Sequence, residues 1–153
     1  MIDQEQTLVL VKPDGVQRGL IGTIINRLEN RGLKIIGLKF LQLTDDLAHR
    51  HYAPHKDKPF FPSLVNFITS GPITAIVLEG ENAVEAVRQL MGITDPIKAS
   101  PGTIRGDFGL NIGKNLIHGS DSPESAAYEI SIYFQPEELT KWNWIHEDWI
   151  TES

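Results

Sequence analysis

Residues 115–122, Asn-Leu-Ile-His-Gly-Ser-Asp-Ser, set one imidazole, His118, at the end of a short apolar run. A glycine and three small hydrogen-bonding side chains follow it. An imidazole of ordinary pKa is largely uncharged at neutral pH and can act as a nucleophile. Gly119 beside it is expected to remove side-chain bulk that would block a large substrate. Ser122-Pro123-Glu124 reads as a helix start, with an N-cap serine and a proline at the first helical position. Glu129 falls seven residues into that helix, near enough for its carboxylate to fold back onto the imidazole. A carboxylate on one ring nitrogen fixes the tautomer and leaves the other nitrogen free to attack.

Cations that could hold an anionic substrate are scattered along the chain. Lys12 precedes Pro13-Asp14-Gly15, so a strand, a turn and a helix in succession invite a phosphate-loop reading. The order is wrong for a Walker site, where the lysine follows the glycines and a Ser or Thr follows the lysine. Taken alone, Lys12 reads first as an exposed turn lysine, with a strand-end lysine pointing into a cleft as the alternative. Arg88 lies late on a helix, while Thr94, Lys98 and Arg105 lie in a glycine- and proline-punctuated stretch. Together with Lys12 they supply enough donors to neutralise a di- or triphosphate. Phe60 and Phe61, flanked by prolines, read mainly as core, with one of them available to stack a base. His49, His51 and His55 lie close together, and the last two have the i, i+4 spacing of metal ligands. Pro54 interrupts that helix and no cysteine supports a zinc site, so these three read as surface and capping histidines.

The elements that must position these groups follow from apolar patterning. Thr7–Val11 reads as a buried strand, Leu20–Arg31 as an amphipathic helix closed by Gly32, and Leu33–Leu43 as a second strand. Thr44 caps a helix running to about Tyr52, and Phe60–Ile68 forms another. Ile73–Leu78 is a third strand, followed by a helix from about Asn82 to Met91. Gly92–Asn115 reads as a long loop, of a kind that is functional or disordered, and Leu116–His118 as a fourth strand. Ala126, Ala127, Ile130, Tyr133 and Phe134 have helical spacing, and Pro136 starts a further short helix. This order predicts an α/β (α+β) fold: a ferredoxin-like βαββαβ antiparallel sheet with added helices and that long loop before the fourth strand. One domain over residues 1–153 is expected, with no repeat or linker.

Composition bounds the function. A length of 153 residues, 41% apolar and 22% charged, suits a soluble globular domain. No apolar run is long enough to cross a membrane, Met1–Gln6 lacks a signal-peptide pattern, and the absence of cysteine removes disulfide and thiolate chemistry. A cytoplasmic location is expected. A net charge of −6 argues against nucleic-acid binding, and the strands lack the exposed aromatics of a sheet that binds RNA.

Five separated stretches carry a resemblance. Val11–Val16, Pro59–Phe61, Ser70–Pro72, Pro101–Phe108 and Asn115–Ser122 together resemble nucleoside diphosphate kinases, over about Thr7 to Trp149. The resemblance implies a ferredoxin-like fold and transfer of the γ-phosphate of a nucleoside triphosphate to a nucleoside diphosphate. The implied route is ping-pong, through a phosphohistidine, with low nucleobase specificity. It maps the nucleophile onto His118, its orienting carboxylate onto Glu129 and a hydrogen-bonding neighbour onto Ser120. Tyr52 and Lys12 match positions near the transferred phosphate, and Lys12 also reaches the ribose. Arg88, Thr94 and Arg105 match phosphate ligands, with His55 where some members place another. Phe60 corresponds to the base-stacking aromatic, Ile112 to the apolar residue on the base's other face, and Asn115 to a sugar-binding amide. Mg²⁺ is implied as entering with the nucleotide, bridging its phosphates rather than sitting in a protein cage. The long tail after Glu138 favours a homohexamer over a tetramer. Gly109-Leu110-Asn111 and Lys114 depart from the commonest family forms without touching an assigned residue.

Overall fold

The first apolar run forms β1 (Glu5–Val11), a central strand in which Leu8, Val9, Leu10 and Val11 are all fully buried. Burying each such side chain contributes about 1.5–3 kcal/mol. The computed structural model describes residues 4–152; the first three residues of the N-terminal stretch and Ser153 lie outside the described residues. After β1 come α1 (Pro13–Gln17) and α2 (Ile21–Asn30), then β2 (Lys34–Gln42), α3 (Asp45–His51) and α4 (Phe61–Ile68). β3 (Pro72–Gly80), α5 (Ala83–Met91), α6 (Ile104–Phe108), β4 (Ile117–Gly119) and α7 (Pro123–Tyr133) complete the domain core, with short 3₁₀ turns at Ala53–His55, Pro136–Glu138 and Glu147–Trp149.

The four strands pair antiparallel in the order β2-β3-β1-β4, the ferredoxin-like arrangement expected. Strand alternation sends successive residues to opposite faces of the sheet. Leu8 and Leu10 join Ala48, Val65, Ile68, Ile130 and Phe134 beneath α3, α4 and α7. Val9 and Val11 join Ile24, Leu28, Val87, Met91 and Ile117 beneath α2 and α5. The added helices therefore give the sheet a second apolar layer. A bulge at Ile36 shifts the β2–β3 register.

Two local expectations change. Lys12–Gly15 is not a simple turn: Lys12 is the N-cap of α1, and Pro13 occupies the first helical position, where a missing N–H costs nothing. The segment from Gly92 to Asn115 is not a plain loop, because it contains α6. Thr103 caps that helix by accepting from Gly106 N. Asp107 then accepts from Gly102 N and from Arg27, 2.6 Å away on α2, while Arg27 also lies over the Phe108 ring. The other predicted caps form as expected, Thr44 accepting from Leu47 N and Ser122 from Ser125 N.

Candidate active site

Register explains which way the nucleophile faces. His118 pairs with Leu10 and Gly119 with Val9, so alternation turns His118 toward α3 and α7 and Gly119 toward α5. The expected reason for Gly119 is therefore corrected. A Cβ there would run into Met91 Sδ and crowd Val87, so glycine permits β4 to pack against α5 and clears no room for substrate. α7 does bring the carboxylate back. His118 Nε2 lies 2.8 Å from Glu129 Oε1, and Ser120 Oγ donates to the same oxygen at 2.7 Å. Burial would raise the Glu129 carboxyl, but the His118 and Ser120 contacts outweigh it and hold the group below the ordinary glutamate value. With Nε2 on a carboxylate, the ring adopts the tautomer that leaves Nδ1 unprotonated.

The approach to His118 is built on a strained backbone. Leu116 has φ +76°, and Ile117 N donates to Asn115 O across it, a γ-turn of the rare positive-φ kind. Such a conformation costs on the order of 1–3 kcal/mol and persists only when its surroundings over-determine it. They do so here: Asp14 Oδ2 accepts from Leu116 N, and Leu116 O accepts from Lys12 N. The turn aims Asn115 at Lys12, whose Nζ donates to Asn115 Oδ1 at 2.7 Å. Burial and the Arg105 charge push the Lys12 ammonium down to about 8, against the opposing pull of Asp14.

The remaining predicted residues separate by environment. Arg105 is buried and donates to three carbonyls: Nε to Asn115, Nη1 to Gly92 and Nη2 to Ile117. Arg88 is exposed and donates to Gly119 O, on the strand of His118. Thr94 O accepts from Asn115 Nδ2. Phe60 is half exposed at the start of α4, near His55 and under Lys58, while Phe61 packs against the core. Ile112 is exposed on the turn between Asn111 and Lys114, which a Lys114–Phe67 contact ties to α4. Tyr52 stands edge-on to His51, its hydroxyl pushed up to about 12 by burial and by Glu129. A cavity of about 780 Å³ is lined by Arg88, Lys98, Thr103 and Asp121 but by neither His118 nor Lys12, so it borders this site without containing it.

The reading of the three neighbouring histidines needs correcting at one position. His49 bonds its own helix at Asp45 O, and His55 lies beyond the end of α3. His51 is not a surface residue: it is buried, with its ring 4.6 Å from that of His118 at 77°. Tyr133 bonds it from behind, Oη to Nδ1 at 3.0 Å. A helical wheel would have revealed Tyr133, one turn beyond Glu129 on the same face of α7. His51, His118 and Glu129 each bring one ligand-capable atom within 4.8 Å of the others. Two imidazoles and one carboxylate already carrying two hydrogen bonds do not fit Mg²⁺, which takes oxygen donors in octahedral geometry.

Comparison with known proteins gives the family and the overall fold. A family model described as nucleoside diphosphate kinase matches residues 5–139. A nucleoside diphosphate kinase of Archaeoglobus fulgidus is 56% identical over 148 residues, covering 97% of this chain and 98% of its own. The structure of a halophilic nucleoside diphosphate kinase from Halobacterium salinarum in complex with CDP superimposes with a TM-score of 0.95 at 55% identity, covering 99% of this chain and 100% of the other. A nucleoside diphosphate kinase family protein from Babesia bovis gives 0.94 at 48% identity, covering 96% and 99%.

Proposed function

The chain belongs to the nucleoside diphosphate kinase family and is an enzyme of that class, and from this premise we propose that it moves the γ-phosphate of a nucleoside triphosphate, typically ATP, to a nucleoside diphosphate through a phosphohistidine at His118. The observation that carries this reading is the 2.8 Å contact between His118 Nε2 and Glu129 Oε1, which leaves Nδ1 with its lone pair. That pair forms the bond to the γ-phosphorus. The bond to the bridging oxygen breaks, and its electrons leave with the nucleoside diphosphate. Nε2 keeps its proton against Glu129, while Ser120 steadies the carboxylate. A terminal oxygen of the second nucleotide then takes the phosphoryl group by the reverse step, which makes the cycle ping-pong.

Phosphoryl transfer asks mainly for positioning and charge neutralisation. Lys12, Arg88, Arg105, Thr94 and His55 are the phosphate ligands in this reading, with Tyr52 beside the transferred group. A guanidinium carries five N–H donors; Arg105 uses three on carbonyls, leaving two for phosphate. Phe60 stacks the base, Ile112 covers its other face, and Asn115 with Lys12 meets the sugar. A slot that stacks without reading base edges tolerates many bases, hence low nucleobase specificity. The halophilic relative was solved with a cytidine nucleotide, in keeping with such tolerance. Mg²⁺ belongs to the nucleotide substrate and not to a cage of this chain's residues. The whole chain acts as one cytoplasmic domain; among the described residues no helix is long and apolar enough to cross a membrane. Exposed Leu38 and Phe40 on edge strand β2, with Ile93, Ile97 and Leu110 in the long segment, support self-assembly, which this reading takes to be a homohexamer. A tetramer mass by light scattering would overturn that assembly.

Incubation with γ-labelled ATP is expected to give protein-bound phosphate that is acid-labile, base-stable and chased onto any nucleoside diphosphate. Absence of label on the wild type, or label retained by His118→Ala, would overturn the mechanism. The lowered Lys12 makes a second expectation. The free enzyme loses this proton as pH rises through about 8, whereas bound phosphate favours the charged form. Nucleotide binding above that pH should therefore take up a proton and weaken as pH rises. Calorimetry in two buffers of different ionisation heat measures the uptake, and Lys12→Gln should abolish it.

A further inference from the structure

His51 and Tyr133 take no part in the chemistry above, yet both are buried and one lies against the nucleophile's ring. α7 presents Glu129 and Tyr133 one turn apart on one face. Glu129 holds Nε2 of His118, and Tyr133 holds Nδ1 of His51, so one helix grips two imidazoles delivered by β4 and α3. We propose that the Tyr133–His51 pair positions His118 for phosphoryl transfer, forming a wall that fixes the plane of the nucleophilic ring. The inference rests on His118 being the nucleophile.

Two physical arguments support it. The first is geometric. A single hydrogen bond at Nε2 fixes a point, and the ring can still rock about it. The His51 ring, 4.6 Å from its own at 77°, supplies the second constraint that sets where the Nδ1 lone pair points. Displacements of that kind carry large rate penalties, because transfer needs a near-attack alignment. The second argument is electrostatic. His118 becomes cationic when Nδ1 is phosphorylated and Nε2 keeps its proton, so a charged neighbour in contact would oppose the step. In this proposal Tyr133 Oη is the donor to Nδ1, 3.0 Å away, which occupies that lone pair and favours the neutral form of His51. Burial and the His118 charge likewise oppose protonation of His51, as do Lys12 and His55, while Glu129 alone favours it. Tyr52, also in contact with His51, stays an uncharged phenol.

Tyr133→Phe keeps the ring volume and removes only the hydroxyl. Single-turnover phosphorylation of His118 by Mg·ATP is expected to slow roughly tenfold, the size typical of losing a partner that orients a functional histidine. KM for the nucleotide should stay near wild type and the acid limb of the kcat–pH profile should move to higher pH. Thermal unfolding of the same samples confirms that the variant is folded. If the hydroxyl acts through His51, adding Tyr133→Phe to a His51→Phe background slows the step no further. A folded Tyr133→Phe with wild-type kcat and acid limb would overturn the proposal, as would additive losses in the double variant. Wild-type protein serves as the control that separates the two readings. If it takes up no label, the assignment of His118 fails; if it is labelled normally while Tyr133→Phe matches it, only the positioning role fails.

Discussion

A Glu129→Gln variant is expected to lose roughly 100- to 1,000-fold in the rate of phosphoryl transfer, with little change in KM. The substitution separates charge from shape. Oε1 accepts from both His118 Nε2 and Ser120 Oγ, and a glutamine carbonyl can accept both bonds in the same place. The removed quantity is the negative charge. That charge matters only as the reaction proceeds, because the imidazole begins neutral and ends carrying both a phosphoryl group and a proton. An anion in a partly buried site stabilises that change far more than it would in water. Glu129 is well suited, since its side chain is only 13% exposed and its carboxyl is held below the usual range, ionised throughout neutral pH. Rapid quench with γ-labelled ATP reads the effect directly. A Glu129→Gln enzyme that phosphorylates His118 at the wild-type rate would remove electrostatics from the mechanism. Ser120→Ala, which costs the carboxylate one hydrogen bond, should lose much less, roughly tenfold.

How far the fold could be read from the sequence depended on element length and on how local its signal was. The four strands are apolar runs, and α3 and α7 announce themselves through Thr44 and Ser122, whose caps form as read. α1 and α6 span five residues each, too short for a 3.6-residue period to register. A glycine inside α6 hid it further. Gly106 is there because a Cβ would strike the Ser100 carbonyl, a reason visible only once the segment is folded. The pair of His118 and Glu129 was legible because a helix start lies between them and fixes their separation. His51 was not, since its burial comes from a contact between α3 and β4, far apart in sequence. Gly119 shows a different failure. Alternation from His118 would have sent it to the opposite face, away from substrate, had the strand been read that way.

The two arginines that look alike in sequence lead to the second large effect. Arg88 is exposed, with one carbonyl partner, whereas Arg105 is buried with three. Arg105→Ala should therefore destabilise the protein as well as weaken phosphate binding. Its three acceptors come from Gly92, Asn115 and Ile117, the two ends of the long segment and the strand that follows it. Truncation takes one donor from each of the three; Asn115 O keeps its bond from Ile117 N, and each buried group left unsatisfied costs about 1–3 kcal/mol. Water entering the space returns part of this, so a net loss of about 3 kcal/mol is expected, lowering Tm by roughly 6–12 °C for a chain of this size. Arg88→Ala should weaken nucleotide binding while leaving Tm within about 2 °C, as an exposed side chain with little packing. Arg105→Lys separates the two duties of Arg105. An ammonium restores the charge but cannot reach three carbonyls as a planar fork does, so nucleotide affinity should recover more than Tm. Scanning calorimetry and nucleotide titration on the three variants measure both quantities. Equal Tm losses for Arg88→Ala and Arg105→Ala would show that the three carbonyl bonds do not hold the segment. Full recovery of Tm in Arg105→Lys would show that charge alone does. The burial that pushes the Arg105 guanidinium down to about 10 argues against that second result, because charge in such a place is costly unless hydrogen bonds compensate it.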